Sequence, residues 1–219
     1  QSGTPKGQYG YGGYGNPNTS KRPYYKYYNN FLYTVNWSAI EPARSGPGVP
    51  CFWTTFDSQV KNLADSGINI SITLWVGPDA PTWLYSAPDN VPNFTNSFGR
   101  FPYYLNSNYT TRFYAIADSL FNHIKSLSSG IQDYITMVQS AEGSTEDNGP
   151  YKQDVPDGTN NTNTTLFPQI SSSSFDFRIS NGDWTTFQRA YQSRMYAQYD
   201  ATPSRTKWAA NPGNDSENE

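Results

Sequence analysis

The sequence predicts an α/β protein built on parallel strands, and three observations carry that expectation. From Phe31 onward, short β-type runs alternate with stretches of helical apolar spacing. The run from Ile68 to Val76 is apolar and β-branched along most of its length, as in a strand covered on both faces. Tryptophans and carboxylates recur directly after the β-type runs, where parallel sheets gather their ligands.

Residues 1–30 are rich in Gly, Tyr, Pro and Asn, with the near-repeat Tyr9-Gly10-Tyr11-Gly12-Gly13-Tyr14-Gly15. Such a stretch offers no regular face to bury and reads as an extended arm preceding a domain over residues 31–219. Phe31 to Trp37 forms the first strand candidate. Phe56, Val60, Leu63 and Ala64 follow at helical spacing, with Gly67 placed to end the helix. After the Ile68–Val76 strand comes a long Pro- and aromatic-rich loop from Gly77 to Asn108. A second helix is expected over about Thr111–Leu127, with Phe113, Ile116, Leu120, Ile124 and Leu127 on one face. His123 sits beside that face as a packed or surface residue. Tyr134 to Gln139 is the third strand, and a polar insertion runs from Gly143 to Gly182. Asp183 is placed to cap a third helix carrying Trp184, Phe187, Tyr191 and Met195, and Thr206 to Asn211 opens a fourth strand.

Composition narrows the function classes. With 219 residues the chain is long enough for one cored domain but short of a complete eight-unit barrel of ~250 residues. Hydrophobic residues are only 35% of the chain, yet aromatics reach 16%, and each buries a large area. A net charge of −3 argues against a nucleic-acid partner, and no run of ~18 apolar residues suggests a membrane span. Cys51 and His123 are the single members of their types, too few for a zinc site or for serine-based hydrolysis with a spare base. No glycine-rich nucleotide fingerprint or phosphate loop occurs, so no cofactor or metal is expected.

Eight Asn-x-Ser/Thr triplets occur, about twice the number chance gives for this composition. Asn93, Asn108, Asn160 and Asn163 lie in polar stretches expected to be loops and are the candidate glycan acceptors; Asn36 and Asn69 sit inside strand-like runs. With Gln1 read as the start of a processed chain, these suggest a secreted, extracellular glycoprotein. A cytosolic protein rich in Asn, Ser and Thr is the alternative.

The segments after the strands carry the chemistry. They read Trp37-Ser38-Ala39-Ile40-Glu41-Pro42, then Trp75-Val76-Gly77-Pro78-Asp79-Ala80-Pro81-Thr82-Trp83-Leu84, then Gln139-Ser140-Ala141-Glu142-Gly143. Aromatic faces stack on pyranose rings, while carboxylates and amides bind their hydroxyls. Trp37, Trp75 and Trp83 are therefore candidate platforms, and Asp79 and Gln139 candidate polar contacts; each Trp could equally belong to the core. Glu41 reads as a brace for its loop through Arg44 or a backbone amide.

In this order the three segments resemble those of the clan A glycoside hydrolases, the (β/α)8 group that includes the family 35 and family 42 β-galactosidases. Trp37 to Pro42 is similar to the Trp-x-x-x-Glu-Pro element that follows the second barrel strand. Gly77-Pro78 with Pro81-Thr82-Trp83-Leu84 matches the element after the third. Val138-Gln139 and Glu142 match the end of the fourth. The resemblance spans about residues 31–211 and implies a partial, TIM-barrel-like (β/α) domain, the N-terminal half of such a barrel. It makes Glu142 the general acid/base of a retaining hydrolase acting on β-linked saccharides. Two departures accompany it. Ala141 stands where the family carries Asn, and the family's nucleophile follows a seventh strand, beyond the last strand expected here. A second chain, a further segment or a homo-oligomer would then complete the half-barrel, whose open edges argue against a lone monomer. The competing reading is a non-catalytic extracellular glycoprotein on the same scaffold, a carbohydrate-binding or filament-forming structural subunit.

Overall fold

Strand and helix alternate as the apolar periodicity dictates, and the strands assemble in chain order. A computed structural model describes residues 9–12, 30–46, 51–96, 99–139, 142–143, 149–151, 175–199 and 206–209. Strands β1 (Tyr9–Gly12), β2 (Asn30–Asn36) and β3 (Asn69–Trp75) begin the main sheet. The hairpin strands β4 (Asn93–Asn96) and β5 (Gly99–Pro102) form a separate antiparallel pair. Strands β6 (Ile135–Gln139) and β7 (Lys207–Ala209) complete a five-stranded sheet of order β1-β2-β3-β6-β7, parallel at every pairing. The helices are α1 (Trp37–Ile40), α2 (Thr54–Asp65), α3 (Ser107–Ser126), α4 (Ser129–Gln132) and α5 (Asn181–Tyr199), with a 3₁₀ turn over Thr82–Tyr85.

Register and burial give the sheet two unlike faces. Phe31, Tyr33 and Val35 of β2 lie beside Ile70, Ile72 and Leu74 of β3, all buried. Ile135 and Val138 of β6 pair with Ile70 and Ile72 although they stand three residues apart, because an irregularity between Ile70 and Ser71 absorbs the extra residue. The helices pack on this apolar face: Tyr33 meets Phe56 of α2 at 5.9 Å between ring centroids. Neighbouring helices also touch in chain order. His123 of α3 contacts Asp57 of α2 at 2.6 Å, and Phe113 of α3 meets Tyr191 of α5 at 4.5 Å. Among the described strands the order does not reverse, and neighbouring helices touch in chain order. The other face is more polar: Asn30, Thr34 and Asn36 of β2 share it with Leu32 and register with Asn69, Thr73 and Trp75 of β3, as Leu32 does with Ser71.

The extended Gly/Tyr-rich arm supplies a strand over Tyr9–Gly12, since backbone bonding between parallel neighbours needs no side-chain pattern. Several expectations are corrected. Trp37 opens α1 instead of closing β2. The segment between Gly77 and Asn108 is not one loop, for it holds the 3₁₀ turn and the β4–β5 hairpin. Helix α3 begins a turn earlier than expected because the Asn106 side chain accepts from the amides of Asn108 and Tyr109 and starts it there. At α5 the cap is Ser180, not Asp183: its Oγ accepts from the Asp183 amide at 3.1 Å and donates to the Asp183 carboxylate at 2.6 Å. The expected polar insertion falls largely outside the described residues, but Tyr151, Phe177 and Ile179 from it are buried in aromatic and aliphatic packing.

Candidate functional site at the C-terminal edge of the sheet

Parallel strands bring their last residues to one edge, and there the polar face ends in Asn36, Trp75 and Gln139. Asn36 and Trp75 are register partners, and Thr73 and Gln139 are the next pair across the sheet. Thr73 Oγ1 donates to Gln139 Oε1 at 3.4 Å. Trp75 and Gln139 are half-buried.

Asp79 is built into the same edge by the loop after β3. A turn closes from the Ala80 amide to the Gly77 carbonyl at 3.2 Å, and the Ser38 amide donates to the Asp79 carbonyl at 2.9 Å. Asn36 Nδ2 then donates to Asp79 Oδ1 at 2.6 Å. Gly99 of the hairpin presses on this loop: a Cβ there would lie 2.7 Å from Pro78 Cβ, and the backbone at φ +134° favours glycine. Burial raises the Asp79 carboxyl above its ordinary range. A half-buried carboxyl, an amide and an indole on adjoining strand ends form a set suited to hold a polyhydroxylated ligand.

Trp37 does not belong to this set, and its reading as a platform is corrected. Its side chain is fully buried, ringed by Trp83, Tyr109 and Phe113 at centroid distances of 6.3, 5.9 and 6.5 Å. Its Nε1 donates to Glu41 Oε2 at 2.6 Å. Glu41 is a brace: its other oxygen takes the Ser45 amide at 3.0 Å and the Ser45 hydroxyl. Arg44 turns instead to Asp89, which it grips at 2.6 Å together with Arg112 at 3.0 Å. Trp83 is half-buried and tied to the same loop, its Nε1 donating to the Glu41 carbonyl at 2.9 Å while Arg112 lies 5.9 Å above its ring.

Glu142 follows β6 but is enclosed, with 3% of its surface exposed. Gln188 of α5, itself buried, donates from Nε2 to Glu142 Oε1 at 3.1 Å. Burial, then the Glu142 carboxylate, holds the Tyr191 phenol well above its ordinary range. Gly143 is packed tightly, since a Cβ there would strike the Gly149 carbonyl and stand 3.0 Å from Trp184 Cζ2. The expected site thus divides: Trp75, Asp79 and Gln139 share the sheet edge, Glu142 lies under α5, and Trp37 is core.

Asn36 and Gln188 are site residues that the sequence reading missed, and both had a legible signal. Asn36 closes the alternation Asn30, Leu32, Thr34, Asn36 opposite the apolar Phe31, Tyr33 and Val35. Gln188 interrupts the buried stripe of Trp184, Tyr191 and Met195 at helical spacing.

Of the candidate glycan acceptors, neither described one lies in a loop. Asn93 opens β4, half-buried, with its Nδ2 on the Val91 carbonyl at 3.2 Å. Asn108 is exposed on the first turn of α3 and donates to the Asp89 carbonyl at 2.7 Å. Asn160 and Asn163 lie outside the described residues. Among the described residues, no cluster of three or more His, Cys, Asp or Glu side chains is placed to hold a metal. No described helix is long and apolar enough to cross a membrane. No protein-family model matches the chain, and no curated protein matches it.

Proposed function

We propose that the chain is a secreted, glycoside hydrolase-like protein that handles β-linked oligo- or polysaccharide along the C-terminal edge of its parallel sheet. The observation that carries this reading is the clamp of Asp79 on Asn36 at 2.6 Å, beside Trp75 in register on the next strand. Trp75 would stack on a pyranose ring while Asp79, Asn36 and Gln139 take its hydroxyls. The unreversed order of the described strands supports a partial (β/α) barrel. In the described sheet β1 and β7 are the outer strands, and a second chain or further copy would pair with them and close it.

If the protein is catalytic, Glu142 is the acid/base of a retaining mechanism. Such a mechanism needs a second carboxylate about 5–5.5 Å away, which a further segment or a partner chain would supply. The burial of Glu142 beneath Gln188 favours a second reading, in which the edge binds saccharide without cleaving it.

Titration calorimetry with β-linked galacto- and gluco-oligosaccharides, paired with release of aryl alcohol from aryl β-glycosides, tests both. Trp75→Ala should weaken binding about tenfold, the equivalent of one lost aromatic contact. Glu142→Gln should abolish turnover and leave binding intact. Binding without turnover in the unaltered protein selects the second reading, and absence of both refutes the saccharide proposal.

A further inference from the structure

The more polar face of the main sheet holds groups that the chain itself does not satisfy. Asn30 and Thr34 of β2 and Ser71 of β3 are each 0% exposed, and Asn30 Nδ2 and Oδ1, Thr34 Oγ1 and Ser71 Oγ have no hydrogen-bond partner. Register puts all three on one face, with Asn30 opposite Asn69, Leu32 opposite Ser71 and Thr34 opposite Thr73. Their neighbours on that face, Leu32, Asn69, Trp75, Met137 and Gln139, keep partial exposure. The unpaired groups are therefore sunk in a surface that still meets solvent. Leu32 and Met137 flank Ser71 in register and, as rotatable side chains on a fixed backbone, can turn to admit a partner.

The sheet edges ask for a partner as well. Among the described strands, β1 and β7 each have a neighbour on one side only, and every pairing in the sheet is parallel. A two-fold axis running along the strands preserves their direction. It sets β7 of one copy parallel to β1 of another at two identical seams. Ten described strands then close into a ring, and the two polar faces oppose each other across its interior. Such symmetry needs a face that complements itself. Amides and hydroxyls meet this need because each both donates and accepts, whereas a row of like charges would repel its own image.

We infer that this face receives a second copy of the chain, with Asn30, Thr34 and Ser71 making the polar contacts between copies and the β1–β7 seams closing the sheet. The inference rests on the partial-barrel reading and commits it to one partner; it does not require that the protein handle saccharide.

Sedimentation equilibrium should give twice the mass of the chain. Thr34→Val combined with Ser71→Ala should raise the dimer dissociation constant about tenfold, as one lost hydrogen bond would. At concentrations where the chain is monomeric, the thermal midpoint of that variant should hold or rise, because these hydroxyls are unpaired within one copy. In a Cys51→Ser background, Tyr11→Cys chains mixed with Ala209→Cys chains should be joined by a flexible bismaleimide, and neither should be joined to itself. A chain that stays monomeric, a double variant that keeps full dimer affinity or loses midpoint as a monomer, or a dimer without the mixed cross-link overturns the inference. Titration calorimetry with oligosaccharide separates the two readings. A monomer that binds sugar refutes this one alone, and a cross-linked dimer that binds none refutes the saccharide proposal alone.

Discussion

Gly143→Ala tests whether the turn holding Glu142 is as close-packed as described. The added methyl would strike the Gly149 carbonyl and stand 3.0 Å from Trp184 Cζ2. A backbone carbonyl cannot swing aside as a long side chain can, so the 142–143 segment or the Gly149 turn must move. Overfilling of this kind costs about 1–3 kcal/mol, or roughly 5 °C of thermal midpoint in a chain of this length. The same displacement strains the Gln188 to Glu142 bond, which spans 3.1 Å. Urea unfolding followed by tryptophan fluorescence suits the measurement, because Trp184 borders the clash. Gly130→Ala is the control: nothing lies within 4 Å of a Cβ there, and alanine should be neutral or stabilising by about 0.4–1 kcal/mol. Equal stability of the two variants would refute the packing argument, and with it the enclosure of Glu142.

Asp89→Ala should destabilise the protein by about 2–3 kcal/mol in chemical denaturation, because a carboxylate only 7% exposed binds two arginines that are themselves partly solvated. Asp79, whose carboxyl is raised in the folded protein, binds its proton more tightly folded than unfolded. Stability is therefore lost as pH climbs from the ordinary carboxylate range through the raised value, and calorimetry on Asp79→Asn should show that loss abolished. Burial first, and the Glu41 carboxylate second, push the Cys51 thiol up to about 11 from 9.0, against a bond from Ser119 that lowers it. Iodoacetamide at neutral pH should accordingly modify Cys51 about 100-fold more slowly than an exposed thiol, as mass spectrometry over time can follow.

The strand–helix rhythm was legible because it rests on apolar periodicity, which a single sequence displays directly. The Ile68–Val76 run and the stripe through Phe113, Ile116, Leu120 and Ile124 map onto β3 and α3 within a few residues. Tyr9–Gly12 was not legible as a strand, since its place depends on the backbone edge of β2, and glycines reveal nothing of that. The β4–β5 hairpin was hidden for a related reason: each strand is four residues long, too short for alternation to register. At the candidate site, residue types were readable and directions were not. Trp37 and Trp75 look equivalent in sequence, but the chain turns into α1 at Trp37 and folds that indole into the helix layer, while Trp75 remains on the strand. Glu142 likewise follows its strand as Asp79 does, yet only a tertiary neighbour, Gln188, decides that it is covered.

The strand order also has a kinetic consequence. Among the described strands, each parallel pairing joins segments separated by a long intervening stretch of chain, and only the β4–β5 hairpin links near neighbours. Loop-closure entropy must be met before any sheet contact forms, so the hairpin and α3 can organise in microseconds while the sheet waits on slow, long-distance encounters. Refolding from denaturant should thus be paced by chain topology, and β-rich intermediates with unsatisfied edges are the species most prone to self-association on the way.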